Sequence, residues 1–155
     1  MNNSQSNSQQ EQSTTQIALW NPNVAGLWSI IVPFFGAWIH AKNWQTLGND
    51  KLCKYNQYYV LAMIFSMLAN RIFDMFTGFE SRPTLVAILL IIWYFHLGRK
   101  QTEFITQHYT HYQRKSWLKP IMIGQVGFIV LWTSISQILI ISFNHLGILH
   151  ESWYE

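Results

Sequence analysis

A chain of 155 residues, 50% hydrophobic and only 11% charged, has room for one domain and too few charges for an ordinary soluble one, where roughly a quarter of residues are charged. The formal charge of +3 is broken up by apolar runs, which excludes the contiguous basic patch that nucleic acid requires; the positive residues suit lipid headgroups instead. A single cysteine, Cys53, excludes an intramolecular disulfide and a cysteine zinc cage, and reads as a small packing residue.

Residues 1–18 form a polar tail. Its first sixteen residues, MNNSQSNSQQEQSTTQ, hold too little apolar surface to offset chain entropy and are expected to be disordered. With no basic stretch ahead of the apolar run and no cleavage site, membrane insertion is expected to use uncleaved segments. Residues 19–155 are expected to be all-α, a polytopic membrane helix bundle with hydrophobic segments at about 24–41, 57–78, 83–99 and 120–143 and an amphipathic helix at about 100–117.

The first segment lies inside Gln12–Ala41, where no Asp, Glu, Lys or Arg occurs, and has its apolar heart at Val24–Ile39. Pro33 and Gly36 interrupt it. It is therefore either a kinked span, the favoured reading, or a re-entrant pair of helices that enters and leaves on one side. Gly48, Asn49 and Asp50 spell a helix stop followed by a new N-cap. The second segment is uncharged until Arg71 and Asp74, and the fourth lies in an uncharged stretch from Pro120 to His150; both exceed the roughly 17 residues that a span needs. The third, Pro83–Gly98, is only ~24 Å long and spans if His96, Arg99 and Lys100 reach the headgroups. Pro83 and Pro120 mark helix starts. Beyond segment three, Phe104, Ile105, Tyr109 and Tyr112 give the amphipathic stretch its apolar side and place it at the interface.

Basic residues sort by loop. Lys42, Lys51 and Lys54 follow segment one, and Arg99, Lys100, Arg114, Lys115 and Lys119 follow segment three, against Arg82 alone on the other side. Under the positive-inside rule this makes loops 42–56 and 99–119 cytoplasmic, the C-terminus external, and these eight residues headgroup contacts. A bacterial inner membrane is the expected location. Trp38, Trp44, Tyr55, Tyr58, Tyr59, Trp93, Tyr94 and Trp117 are expected at the inner interface, and Phe76, Phe79, Trp153 and Tyr154 at the outer one.

The intramembrane polar candidates are Asn70, Arg71, Asp74, Gln125 and Gln137. Arg71 and Asp74 stand three apart, which allows a helical ion pair, and a charge at mid-bilayer costs about 2.5–3.5 kcal/mol on insertion scales. They are either a proton or ion relay or a bridge that locks the bundle, the latter favoured. Ser66 and Asn70 extend the same face. Gln125, Thr133, Ser136 and Gln137, with Gly124 and Gly127, read as a helix-packing stripe. His108 and His111 are three apart, but the nearby acid, Glu103, is wrongly placed for zinc; no metal or cofactor is expected. His40 and His96 are assigned to the inner interface, His145 and His150 to the outer.

Trp20-Asn21-Pro22, Trp28-Ser29, Pro33, Phe35-Gly36-Ala37, His40, Asn43-Trp44 and Leu47-Gly48 resemble the N-terminal signature of a group of small uncharacterised bacterial multi-pass inner-membrane proteins. Tyr112-Gln113-Arg114-Lys115-Ser116-Trp117 with Lys119-Pro120 is similar to the block before their last hydrophobic segment. The group has no known activity, so the resemblance implies a membrane location and adds no site. It points to a turn and cap at Trp20-Asn21-Pro22, with Asn23 as the capping residue.

No nucleophile elbow, phosphate loop or paired-carboxylate constellation occurs. The expected function is non-enzymatic, through protein–protein contacts in the membrane: a regulator, an assembly subunit or a toxin-immunity type partner, with the lipid bilayer, a protein partner or a second copy as contacts. The alternative is a small carrier or channel, oligomeric or not, using the stripe of segment two. A lipid-modifying enzyme using His40, His96 or His108 ranks third.

Overall fold

The structure, a computed structural model, describes residues 17–78, 84–109, 112–150 and 153. The expectations placed on residues 1–16 and on Phe79, Arg82, Pro83, His111 and Tyr154 lie outside the described residues. The chain is mostly helical. In order it forms β1 (Ala18–Leu19), α1 (Pro22–Trp28), α2 (Phe35–Thr46), α3 (Asp50–Thr77), α4 (Thr84–Trp93), a π-helical turn (Tyr94–Gly98), α5 (Arg99–His108), β2 (Gln113–Arg114), α6 (Leu118–Ile121), a second π turn (Met122–Val126) and α7 (Gly127–His145). The π turns continue their neighbours, so 84–108 and 118–145 are each one rod.

Asp50–Thr77 and Leu118–His145 are long and apolar enough to cross a membrane. The rod 84–108 is not among them, because Arg99, Lys100 and Glu103 charge its second half. Phe65, Phe73, Ile91, Ile129, Leu131 and Ile141 are all exposed, an apolar surface that water would penalise and hydrocarbon would not.

Segment one is a helical hairpin, and its two ends lie side by side. Asn21 caps α1 by accepting from Asn23 N at 3.0 Å, with Pro22 in the first helical position; the capping residue is thus Asn21 rather than Asn23, because Pro22, which lacks an N–H, starts the helix. The chain reverses through residues 29–34. Ser29 holds the turn: its hydroxyl donates to Ala25 O at 3.2 Å and accepts from Gly36 N at 2.7 Å. A Cβ on Gly36 would run into Ser29 Oγ and come within 2.8 Å of Trp93 and 3.0 Å of Ala25 O, so only glycine lets α1 and α2 approach this closely. At the open end, Asn43 Oδ1 accepts from Trp20 N at 3.0 Å and Asn43 Nδ2 donates to Trp20 O at 2.8 Å. The favoured kinked span is therefore corrected: Pro33 and Gly36 mark a reversal, not a bend.

The hairpin is tied to the other helices by buried amides. Asn43 Nδ2 also donates to Gln101 Oε1 at 3.2 Å, Gln101 Nε2 donates to His40 O at 2.9 Å, and Trp93 Nε1 donates to Asn56 Oδ1 at 2.8 Å. Asn43, Asn56, Gln101 and Trp93 are fully buried and His40 is 1% exposed. The amides and the Trp93 indole satisfy one another out of reach of water, which makes the arrangement specific, while His40 Nδ1 is buried without a hydrogen-bond partner. Trp44, Trp93 and His40, expected at the interface, are core residues instead: Trp93 packs with Ala37, Met63 and Leu97, and Trp44 with Ala41 and Cys53. Cys53 is the packing residue expected.

α3 starts where the Gly-Asn-Asp signal places it. Gly48 takes φ 72°, Asn49 Oδ1 accepts from Leu52 N at 3.1 Å, and Gly78 ends the helix at φ 63°, the left-handed cap glycine favours. The amphipathic helix is shorter than expected, ending at His108 rather than near 117. The chain then turns into β2, which pairs in parallel with β1, Ala18 opposite Gln113 and Leu19 opposite Arg114. Backbone pairing with β1 outcompetes helix there, and it also orders Ala18, which the polar tail was expected to include.

Candidate functional site

The two basic loops meet through Lys115. Lys115 Nζ donates to Thr46 Oγ1 at 3.4 Å and stands 4.3 Å from the centroid of the Trp20 ring, while Trp20 Nε1 donates to Ser116 O at 3.1 Å. Loops 42–56 and 99–119 and the start of the hairpin therefore share a face. Partial burial there pushes the Lys115 ammonium below its ordinary range. Arg99 pairs with Glu103 at 2.7 Å, both largely exposed, an i,i+4 pair of small energetic weight. Lys42 reaches Gln45 at 3.4 Å.

The opposite half of the molecule holds the polar candidates. The hairpin reaches only part way along α3 and α7. Its residue Phe34 packs edge-on to Phe128, ring centroids 5.1 Å apart. A cavity of about 470 Å³ remains, lined by Met67, Asn70, Arg71 and Asp74 of α3, Val86 of α4, and Trp132, Thr133, Ser136 and Gln137 of α7. Four of the five sequence candidates, Asn70, Arg71, Asp74 and Gln137, meet here. Gln125 does not: it lies in the second π turn, its Nε2 buried and without a hydrogen-bond partner. Ser66 is buried and bonds its own helix at Ala62 O, 2.8 Å away.

Arg71 and Asp74 form no ion pair with each other among the described residues, contrary to the favoured bridge. The Arg71 guanidinium carbon instead stands 4.6 Å from the centroid of the Trp153 ring, close enough for a cation–π contact. Trp153 Nε1 donates to Asp74 O at 3.3 Å and His150 N donates to Met75 O at 3.0 Å, which fold the C-terminal segment back onto the end of α3. Arg71 Nε is buried and makes no hydrogen bond. Asp74 has contacts of its own. The Thr133 hydroxyl is committed to Ile129 O and Val130 O at 2.9 and 3.0 Å.

An apolar trough of about 300 Å³ continues from this cavity, sharing Met67 and Trp132 with it and running on past Leu68, Leu131, Phe128 and Phe34 to Gly124. Gly124 presses on the hairpin: a Cβ there would collide with the Phe35 ring. The whole is one lateral cleft, polar at one end and apolar at the other. The stripe on α7 was read as packing glue, yet Thr133 and Ser136 face the cavity with Gln137. Met67, Val86 and Trp132 carried no signal in the sequence beyond being apolar. Among the described residues no three His, Cys, Asp or Glu side chains cluster as a metal site. No family model, curated protein or solved structure matches the chain.

Proposed function

We propose that this chain is a non-enzymatic integral membrane protein of the bacterial inner membrane that works by binding a hydrophobic partner in the lateral cleft between α3 and α7. In this reading α3, the rod 84–108 and the rod 118–145 cross the bilayer, and the α1–α2 hairpin enters and leaves on the cytoplasmic side with the basic loops. Membership of the small inner-membrane group resembled by Trp20-Asn21-Pro22 and its following motif is part of the same proposal. The observation that carries it is the meeting of two polar stripes, Asn70-Arg71-Asp74 and Thr133-Ser136-Gln137, across one cavity. Polar groups at membrane depth are costly and tend to be functional. A conduit is less well supported, since the cleft turns apolar towards Leu68 and Leu131.

Site-specific photo-crosslinking tests it. A benzophenone side chain at Ile135, in the trough, is expected to give a discrete adduct in native membranes. The same group at Ile141, exposed on α7, serves as the lipid-facing reference; identical diffuse adducts from both positions would sink the proposal.

A second reading, contact with another membrane protein, draws on α7 itself: only 6% of the apolar window of Leu118–His145 is buried. Purification in mild detergent with mass spectrometry would then recover a stoichiometric partner or a second copy, and repeated recovery of a lone monomer counts against it.

A further inference from the structure

We infer that the occupant of the cleft is a membrane lipid with an acidic headgroup, its phosphodiester held at Arg71 and one acyl chain lying in the trough. This rests on the binding reading above and names its ligand.

The headgroup follows from what Arg71 lacks. Guanidinium carries five N–H donors in a planar fork and no acceptor, and its natural complement is an oxyanion that takes two donors at once. Here Trp153 covers Arg71 at 4.6 Å, and such a contact uses the π face of the ring rather than any acceptor. Nε is buried with no hydrogen bond. The side chain is thus held in place while its Nε–H remains unused. Asn70 beside it on α3 and Gln137 across the cavity on α7 supply further amide donors. Thr133 adds none, since its hydroxyl already donates within α7. Asp74, which also lines the cavity, is engaged with other groups.

The chain follows from the shape of the trough. It runs along α7 from Ile123 to Ile135, or ~18 Å at 1.5 Å per residue. Its length and uncharged lining suit one extended hydrocarbon chain. The walls are Phe34, Leu68, Phe128, Leu131 and Ile135, all without charge. The two parts join at Met67 and Trp132, which would place an ester junction where polar lining gives way to apolar.

Retention of lipid through native mass spectrometry tests this on the full chain. The protein is purified in detergent and titrated with dioleoyl phosphatidylglycerol or dioleoyl phosphatidylcholine. One phosphatidylglycerol should be retained at least 10-fold more strongly than phosphatidylcholine, and glycerol 3-phosphate, which has no chain, should not displace it. Arg71→Gln should abolish the preference and Arg71→Lys should keep part of it. Gly127→Leu, at a position where a Cβ meets nothing within 4 Å, should fill the trough and release both lipids. Size-exclusion profiles show which variants remain folded, and Arg71→Lys carries the test if Arg71→Gln aggregates. Equal retention of the two lipids, lost in Gly127→Leu, would overturn the acidic headgroup and leave the binding site standing. Loss of the preference only on Gly127→Leu, with Arg71→Gln and Arg71→Lys unchanged, would overturn the role of Arg71. Retention of neither lipid by the wild-type chain would remove both the inference and the binding reading.

Discussion

Asn43 uses every part of its amide: the oxygen accepts from Trp20 N, and the nitrogen donates to Trp20 O and to Gln101 Oε1. Asn43→Ala strands three partner groups, two on half-buried Trp20 and one on buried Gln101, a fully buried unsatisfied group costing about 1–3 kcal/mol. Partial relaxation brings the expected loss to about 2–4 kcal/mol, visible as a lower thermal midpoint in detergent; a change under 0.5 kcal/mol would mean the hairpin base is held by something else. Gln125 is the opposite case, buried with an amide nitrogen that bonds nothing. Gln125→Leu removes that penalty, so it should be neutral or raise stability by about 1 kcal/mol, whereas a clear drop would reveal a hydrogen bond formed in the membrane. Sequence alone pointed to Gln125 and passed over Asn43 and Gln101. Gln125 stands out in an apolar run, while the other two sit beside Lys42 and Lys100 and look like loop residues. Burial of such amides is decided by long-range packing, which local composition does not encode.

At the scale of elements, the start of α3 was readable because Gly48, Asn49 and Asp50 act through local geometry: a positive φ, a side-chain cap and a first-turn acid. The hairpin was readable only as two alternatives. Hydropathy reports that a segment is apolar, not whether it returns, and the return is set by Asn43 meeting Trp20 and by Gly36 meeting Ser29. Gly36→Ala tests the second contact. Overpacking of this kind costs about 1–3 kcal/mol, and here the added methyl collides with Ser29 and crowds Trp93; Gly127→Ala, with open space around its Cβ, is the matched control that should stay within about 0.5 kcal/mol. Equal effects from the two would argue against close helix approach at the turn. The far part of the amphipathic stretch was misread for a related reason: Gln113–Arg114 has no strand signature of its own and is extended because β1 is its neighbour.

For the whole molecule, sorting basic residues by loop needs no contact information, and the structure brings Lys115 of one basic loop to Thr46 of the other. The lateral cleft was legible in its residues but not its shape, because Arg71 and Gln137 become neighbours only when the hairpin stops short between α3 and α7. The proposed arrangement makes a direct prediction on sidedness. In a Cys53→Ser background, single cysteines at Ile17, Gln45 and Gln113 should all react with a membrane-impermeant maleimide from the same side, and one at Leu146 from the other. Labelling of positions 17 and 45 from opposite sides would restore a kinked span.

The pairing of β1 with β2 has a consequence for synthesis. Trp20 and Ser116, bonded beside that pair, are 96 residues apart, so β1 cannot take its partner strand until Gln113 and Arg114 have been made. Until then the hairpin is held by its internal bonds and by Gln101, and β1 is left as an open edge. Closing so long a loop is entropically costly, and the closure comes as Leu118–His145 is about to be threaded into the bilayer. In the proposed arrangement the clasp thus couples the hairpin to the insertion of Leu118–His145, and a ribosome stalled before Gln113 would leave β1 unpaired.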